Sequence, residues 1–172
     1  MPASKLQTAL NEVVAALADK GQPEALYGAL DRGLAKLIGH KLFTLMIYDQ
    51  RDSQVERVYS SQPKAYPVGG RKPYGASTIY DALFKRHEAV LTRDADDIKR
   101  AFSDHKLILS LRCAASLHLP VVYDGRPLGV MNLLNKAGWY RDKHIAEAAP
   151  FAALLVAPYS ATLRATPAKP RR

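Results

Sequence analysis

The sequence predicts an α+β fold in three layers. A central, mostly antiparallel sheet carries terminal helices on one face and short helices plus a loop on the other. Three observations lead there. Apolar stripes at helical period mark both ends of the chain. Short strand-like runs fill the middle. Two long apolar runs flank Asp124-Gly125, a strong hairpin signal.

The elements follow in order. Leu6, Ala9, Leu10, Val13, Val14 and Leu17 stripe a helix over 4–19, with Ser4 as its cap and Lys20-Gly21 as its stop. Pro23 opens a second helix, striped by Leu26, Leu30, Leu34, Leu37 and Ile38 and stopped at Gly39. Leu42 to Tyr48 reads as a strand, with Phe43, Leu45 and Ile47 on one face and Thr44, Met46 and Tyr48 on the other. Gln54 to Ser60 alternates loosely and suits an edge strand, with Val55, Arg57 and Tyr59 sharing a face.

The stretch Ser61 to Ala76 holds three prolines, three glycines, Tyr66 and Tyr74, and reads as irregular. Lys64, Arg71 and Lys72 lie in it without any acid. Two readings stay open: a mobile surface excursion, or a lid whose Gly69-Gly70 amides, with Arg71 and Lys72, hold an anion. Thr78 and Asp81 resemble a capping box for a short helix to Arg86. Glu88 to Thr92 is a short strand, Thr92 or Asp94 opens another helix, and Ser103 or Asp104 starts a further turn.

The hairpin arms, Ser116 to Tyr123 and Leu128 to Leu134, are apolar enough for central strands covered on both faces. Its register is open between a two-residue and a bulged turn. Asp142 caps the last helix, which Pro150 and Pro158 bend or split before it ends near Leu163. One domain over 1–163 is expected, with residues 1–20 as a dimerisation element and 164–172 as a basic disordered tail.

Net charge is +9, and without the four basic residues of that tail 21 bases face 16 acids. No nucleic-acid motif accompanies the charge, so a solvated surface is expected and nucleic acid is not expected as partner. No apolar run approaches the roughly 18 residues of a membrane span, and no signal-peptide core opens the chain, so a cytoplasmic location is expected. The single cysteine, Cys113, excludes an internal disulfide and a Cys-rich zinc site. No two of the five histidines stand three to five residues apart. No metal, cofactor or catalytic constellation is called for.

Polar groups inside the hairpin strands must find partners or face a cavity. Ser116, His118 and Asn132, with Thr44, Met46 and Tyr48, are therefore candidate pocket-wall residues, and Arg71, Lys72 and Tyr74 can join from the loop. The bland alternative is that His118 and Asn132 satisfy each other. Cys113 is a redox candidate if exposed and a small core hydrophobe if buried.

The run SLHLPVVYDGRPLGVMNLLNK carries Leu119-Pro120-Val121, Asp124-Gly125 and Leu128-Gly129-Val130-Met131-Asn132-Leu133. With the order of elements, it resembles the GAF domain family over about 24–163. The resemblance implies a regulatory ligand-binding module related to PAS domains, with a pocket between the sheet and the middle helices. It also implies homodimerisation through the terminal helices. Asn135-Lys136, Trp139 and Asp142 look like part of the family's cyclic-nucleotide pattern, but the spacing is one residue short and Lys143 replaces an acid. Cys113 does not sit in the local context of the bilin-attaching members. The implied function is a non-enzymatic small-molecule sensor signalling through a homodimer or partner protein. The alternatives are a redox protein using Cys113, similar to the family's free methionine sulfoxide reductases, or a nucleic-acid accessory protein. Those reductases need several cysteines and this chain has one.

Overall fold

The computed structural model describes residues 4–165. Helix α1 spans Lys5–Ala15 and its cap is Ser4, whose Oγ accepts from the Gln7 amide at 3.1 Å. A tight turn, Ala16–Ala18, carries the chain to Gly21, which takes the left-handed conformation glycine permits. Helix α2 is Glu24–Leu37, followed by β1, Leu42–Asp49, and β2, Gln54–Ser60. Next come β3, Arg71–Pro73; α3, Tyr80–Phe84; β4, Val90–Thr92; α4, Ala95–Ala101; and α5, His105–Ser110. The hairpin strands are β5, Ala115–Tyr123, and β6, Arg126–Asn135. Helices α6, Asp142–Ala153, and α7, Val156–Ala165, complete the order.

The six strands form one sheet in the order β3-β2-β1-β6-β5-β4, and every neighbouring pair is antiparallel. Alternation in β1 divides the core as expected. Phe43, Leu45 and Ile47 join α1, α2, α6 and α7 on one face. Met46 joins α3, α4, α5 and the 61–76 segment on the other. This is the three-layer α+β arrangement.

Several details depart from expectation. Strand β2 is not an edge, because β3 pairs with it from within the 61–76 segment. The prolines and basic residues there masked a strand of only three residues. A bulge opposite Leu45/Met46 skips Val58, so Tyr59 leaves the face of Val55 and Arg57. Its ring meets Phe43 and Tyr27 beneath the terminal helices. The Thr78 capping box does not form. Ile79 occupies the cap position of α3, and Ser77 Oγ donates instead to the Ala101 carbonyl at 2.8 Å. Arg141, not Asp142, precedes α6, and its amide donates to His144 Nδ1 at 3.0 Å. The C-terminal helix splits after Ala153 with a bend of 51°. Pro158 then lies in the first turn of α7, where a missing N–H costs nothing. That helix runs to Ala165, past the expected boundary at 163; residues 166–172 of the expected tail lie outside the described ones. Among the described residues no single helix is long and apolar enough to cross a membrane.

The turn at Asp124-Gly125 has two residues, both with positive φ (50° and 66°), the twist that suits a tight hairpin. The turn pairs Tyr123 with Arg126, and a bulge that skips Leu128 then shifts the register by one, which sets His118 directly opposite Asn132. Gly129 explains why the motif carries a glycine. A Cβ there would stand 2.1 Å from the Met46 carbonyl oxygen and 2.6 Å from the Tyr159 ring. Tyr159 lies flat on the sheet at this point, its hydroxyl donating to the Val130 carbonyl at 3.3 Å. Neither the β1 backbone nor the buried ring can retreat, so Gly129→Ala is expected to cost about 3 kcal/mol or more. Gly75, with no neighbour within 4 Å, is the control. Thermal unfolding followed by circular dichroism should show a melting temperature several degrees lower for Gly129→Ala than for Gly75→Ala. Equal midpoints would contradict this reading of the close approach.

A candidate pocket between the sheet and the middle helices

The floor of the site is a line of polar side chains across four strands. Thr44, Asn132 and His118 stand side by side in β1, β6 and β5, and Ser116 faces Thr92 of β4 two residues along. All are buried. Asn132 Nδ2 donates to Thr44 Oγ1 at 3.1 Å, which turns Oδ1 toward His118. The 2.6 Å contact between Oδ1 and His118 Nδ1 therefore needs the proton on Nδ1. His118 Nε2 is left as an acceptor for the Ser116 hydroxyl at 2.6 Å. Ser116 in turn accepts from Thr92 Oγ1, also at 2.6 Å. The hydrogen bonds run in one direction from Thr92 to Thr44, and the imidazole is neutral. Burial pushes His118 down to about 4, against the Asn132 hydrogen bond, which favours the charged form; nearby Lys72 lowers it further.

Above this floor lies a small cavity of about 30 Å³. Met46, Val130 and Leu134 join it from the sheet, and Ile79, Tyr80, Phe102 and Ile108 close it from the helices. That volume holds about one or two waters and is far below the roughly 300 Å³ of an open small-molecule site.

The roof comes from the 61–76 segment. Tyr66 is buried, and its hydroxyl donates to the Asp104 carboxylate at the start of α5. Lys72 Nζ reaches the same oxygen, Oδ2, at 2.5 Å, and the Tyr66 hydroxyl at 3.2 Å. Arg57 lies beneath Tyr66, its guanidinium carbon 3.8 Å from the ring centroid and one Nη donating to the Pro67 carbonyl at 2.8 Å. Burial pulls Asp104 upward, but the Lys72 charge and the bonds from Lys72 and Tyr66 outweigh it, and its pKa falls below the ordinary value. Lys72 is lowered too: burial dominates, and Asp104 only partly offsets it. The carboxylate is thus firmly ionised, whereas the ammonium is held at a cost.

The expected site residues divide into groups. Thr44, Met46, Lys72, His118 and Asn132 border the cavity. Ser116 supports His118 from the side. Tyr48 and Tyr74 lie in a separate open groove, where Tyr48 stacks on Phe84 with centroids 4.4 Å apart. Arg71 points outward into a 2.6 Å ion pair with Glu56, because it alternates with Lys72 along β3. Cys113 is fully buried, and burial pushes its thiol up to about 11, which disfavours the reactive thiolate. Arg57, Tyr66, Tyr80, Thr92 and Asp104 were not anticipated as site residues. One signal pointed to Arg57, namely its shared face with Val55.

The neutral His118 has a measurable consequence. Its folded pKa is about 4 against about 6.5 for an unperturbed histidine, so on acidification the unfolded chain takes the proton first. The contribution is complete above pH 6.5 and is lost as pH falls from 6.5 to 4, about 3 kcal/mol in all. Urea unfolding across that window should show a slope of stability on pH that drops by about 1.4 kcal/mol per pH unit in His118→Leu. An unchanged slope would contradict the neutral assignment.

A family model described as GAF domain matches residues 7–157. No curated protein matches the chain. Among solved structures, the GAF domain of a phosphoenolpyruvate-protein phosphotransferase from Coxiella burnetii is similar at TM-score 0.77 and 18% identity, covering 94% of this chain and 95% of that one. The GAF domain of the Acinetobacter phosphoenolpyruvate-protein phosphotransferase gives 0.76 and 14%, covering 94% and 96%. Free methionine-R-sulfoxide reductase from Neisseria meningitidis, in complex with its substrate, gives 0.70 and 16%, covering 96% of each chain. At these identities the structural likeness establishes the fold alone.

Proposed function

This chain belongs to the GAF domain family, and from that premise we propose that it is a non-enzymatic sensory module for a small molecule. GAF domains bind small molecules generally. The observation that carries the proposal is the small cavity between a hydrogen-bonded polar floor and a roof held by one charged cluster. A site that binds by opening needs a rigid side and a side that can let go. The apolar strands and the ladder of Thr44, Asn132 and His118 supply the first. The 61–76 segment supplies the second. The walls are mainly apolar with a few directional polar groups, as small-molecule sites are.

The signal would pass to a second copy or a separate partner in the cytoplasm. Val14 and Leu17 of the first helical segment, 45% and 43% exposed, support a contact through the terminal helices. A redox role for Cys113 draws no support from its burial.

Thermal unfolding against a panel of small metabolites tests the reading. A ligand at about 100 times its Kd should raise the melting temperature by roughly 5–10 °C. The same ligand should change amide exchange in residues 61–76. A flat response across the panel, with exchange in that segment unaltered, would contradict it.

A further inference from the structure

Asp104 sits where a helix cap should be, yet it does not cap. At the equivalent position before α4, the Asp94 carboxylate accepts from the amides of Asp96 and Asp97 at 3.0 and 2.9 Å. Asp104 precedes α5 in the same way, but its side chain makes no cap bond and reaches across to Tyr66 and Lys72. A carboxylate has been diverted from its local role into the roof of the cavity.

The charges there do not balance. Lys72 pairs with Asp104 at 2.5 Å, while a second cation, Arg57, lies under the Tyr66 ring and feels the same carboxylate only through its charge. Arg57 is only 4% exposed, forms no ion pair among the described residues, and has a buried Nε without a hydrogen-bond partner. A guanidinium held this way is costly to bury unless an anion meets it. Its planar donors suit a carboxylate. Tyr66 and Lys72 line the same cavity, whose remaining walls include the apolar Met46, Ile79, Phe102 and Ile108.

Resting on the pocket reading above, we propose that the ligand class is a small carboxylate with a short apolar body. Its acidic group takes the place of the Asp104 carboxylate on Tyr66 and Lys72, with the Arg57 charge behind the Tyr66 ring, and its body enters between Met46 and Phe102. Asp104 is then an internal stand-in for the ligand. The exchange replaces like bonds with like, and it frees Asp104 to cap α5. Ligand entry thereby cuts the tie between the 61–76 segment and α5, which gives binding a structural output.

The test uses butyrate, its uncharged isostere butyramide, butylamine and inorganic phosphate at constant ionic strength. Binding is followed by calorimetry and by the ¹H–¹⁵N signal of Arg57 Nε. Butyrate is expected to move that signal in the wild type and to bind Asp104→Ala at least tenfold more tightly, because the competing carboxylate is gone. Adding Lys72→Met to Asp104→Ala should abolish that gain, and butyramide should bind neither protein. If Asp104→Ala does not fold, Asp104→Asn keeps the shape without the charge and is expected to shift affinity in the same direction. Butyramide, butylamine or phosphate binding as well as butyrate would overturn the carboxylate assignment and leave the pocket reading standing. So would a neutral or cationic panel metabolite that binds when no carboxylate does. If no compound binds either protein, both readings fall.

Discussion

A histidine and an asparagine buried side by side in the middle of a sheet constrain everything packed around them. Neither side chain can be left unpaired in that environment without a penalty of about 1–3 kcal/mol per group. Their pairing depends on the hairpin register, because a slip of one residue would send His118 and Asn132 to opposite faces. The two-residue turn at Asp124-Gly125 and the bulge at Leu128 together set that register. Thr44 and Ser116–Thr92 then extend the network at either end. The network links β1, β6, β5 and β4 on the face that looks into the cavity. It makes the floor neutral and directional, so the charges of the site all belong to the roof.

The opposite face of the sheet is fixed by shape. Tyr159 presses so close to Gly129 that no side chain fits between them. This brings α7 onto the central strands and fills the space beneath the terminal helices. One face is therefore tightly closed by packing. The other carries a second packed cluster from α3, α4 and α5, but over the cavity the 61–76 segment is tied down by the Lys72–Asp104 ion pair and the Tyr66 ring. Packing is expensive to undo, whereas a partly exposed ion pair can be exchanged for another at little net cost. On the proposed reading, that contrast lets the 61–76 segment give way while the sheet stays fixed.

The fold was largely legible in the residues. Apolar alternation in β1 and the Asp-Gly turn carry strong period and turn signals, and prolines at 150 and 158 mark the split of the last helix. The polar floor was legible too, because Ser116, His118 and Asn132 interrupt otherwise apolar runs. The roof was not. Arg57 shared a face with Val55 and Tyr59 in an expected edge strand, but arginine is seldom buried and nothing local marked it for a site. Asp104 read, with Ser103, as one of two possible starts of a helical turn, which is what its neighbourhood alone suggests. Its partner Lys72 lies 32 positions away, and only the pairing of β3 onto β2 brings the two together. Contacts of that kind leave no local pattern. The bulge at Val58 was equally silent, and it moved Tyr59 to the other face.

The central claim is that the sheet face under the cavity is a complete, uncharged hydrogen-bond chain running through His118. Nitrogen-15 NMR of the His118 imidazole at neutral pH tests it directly. The account predicts a neutral ring with the proton on Nδ1, exchanging slowly with solvent and bonded to Asn132. A proton on Nε2, an imidazolium, or rapid exchange of the ring proton would contradict it.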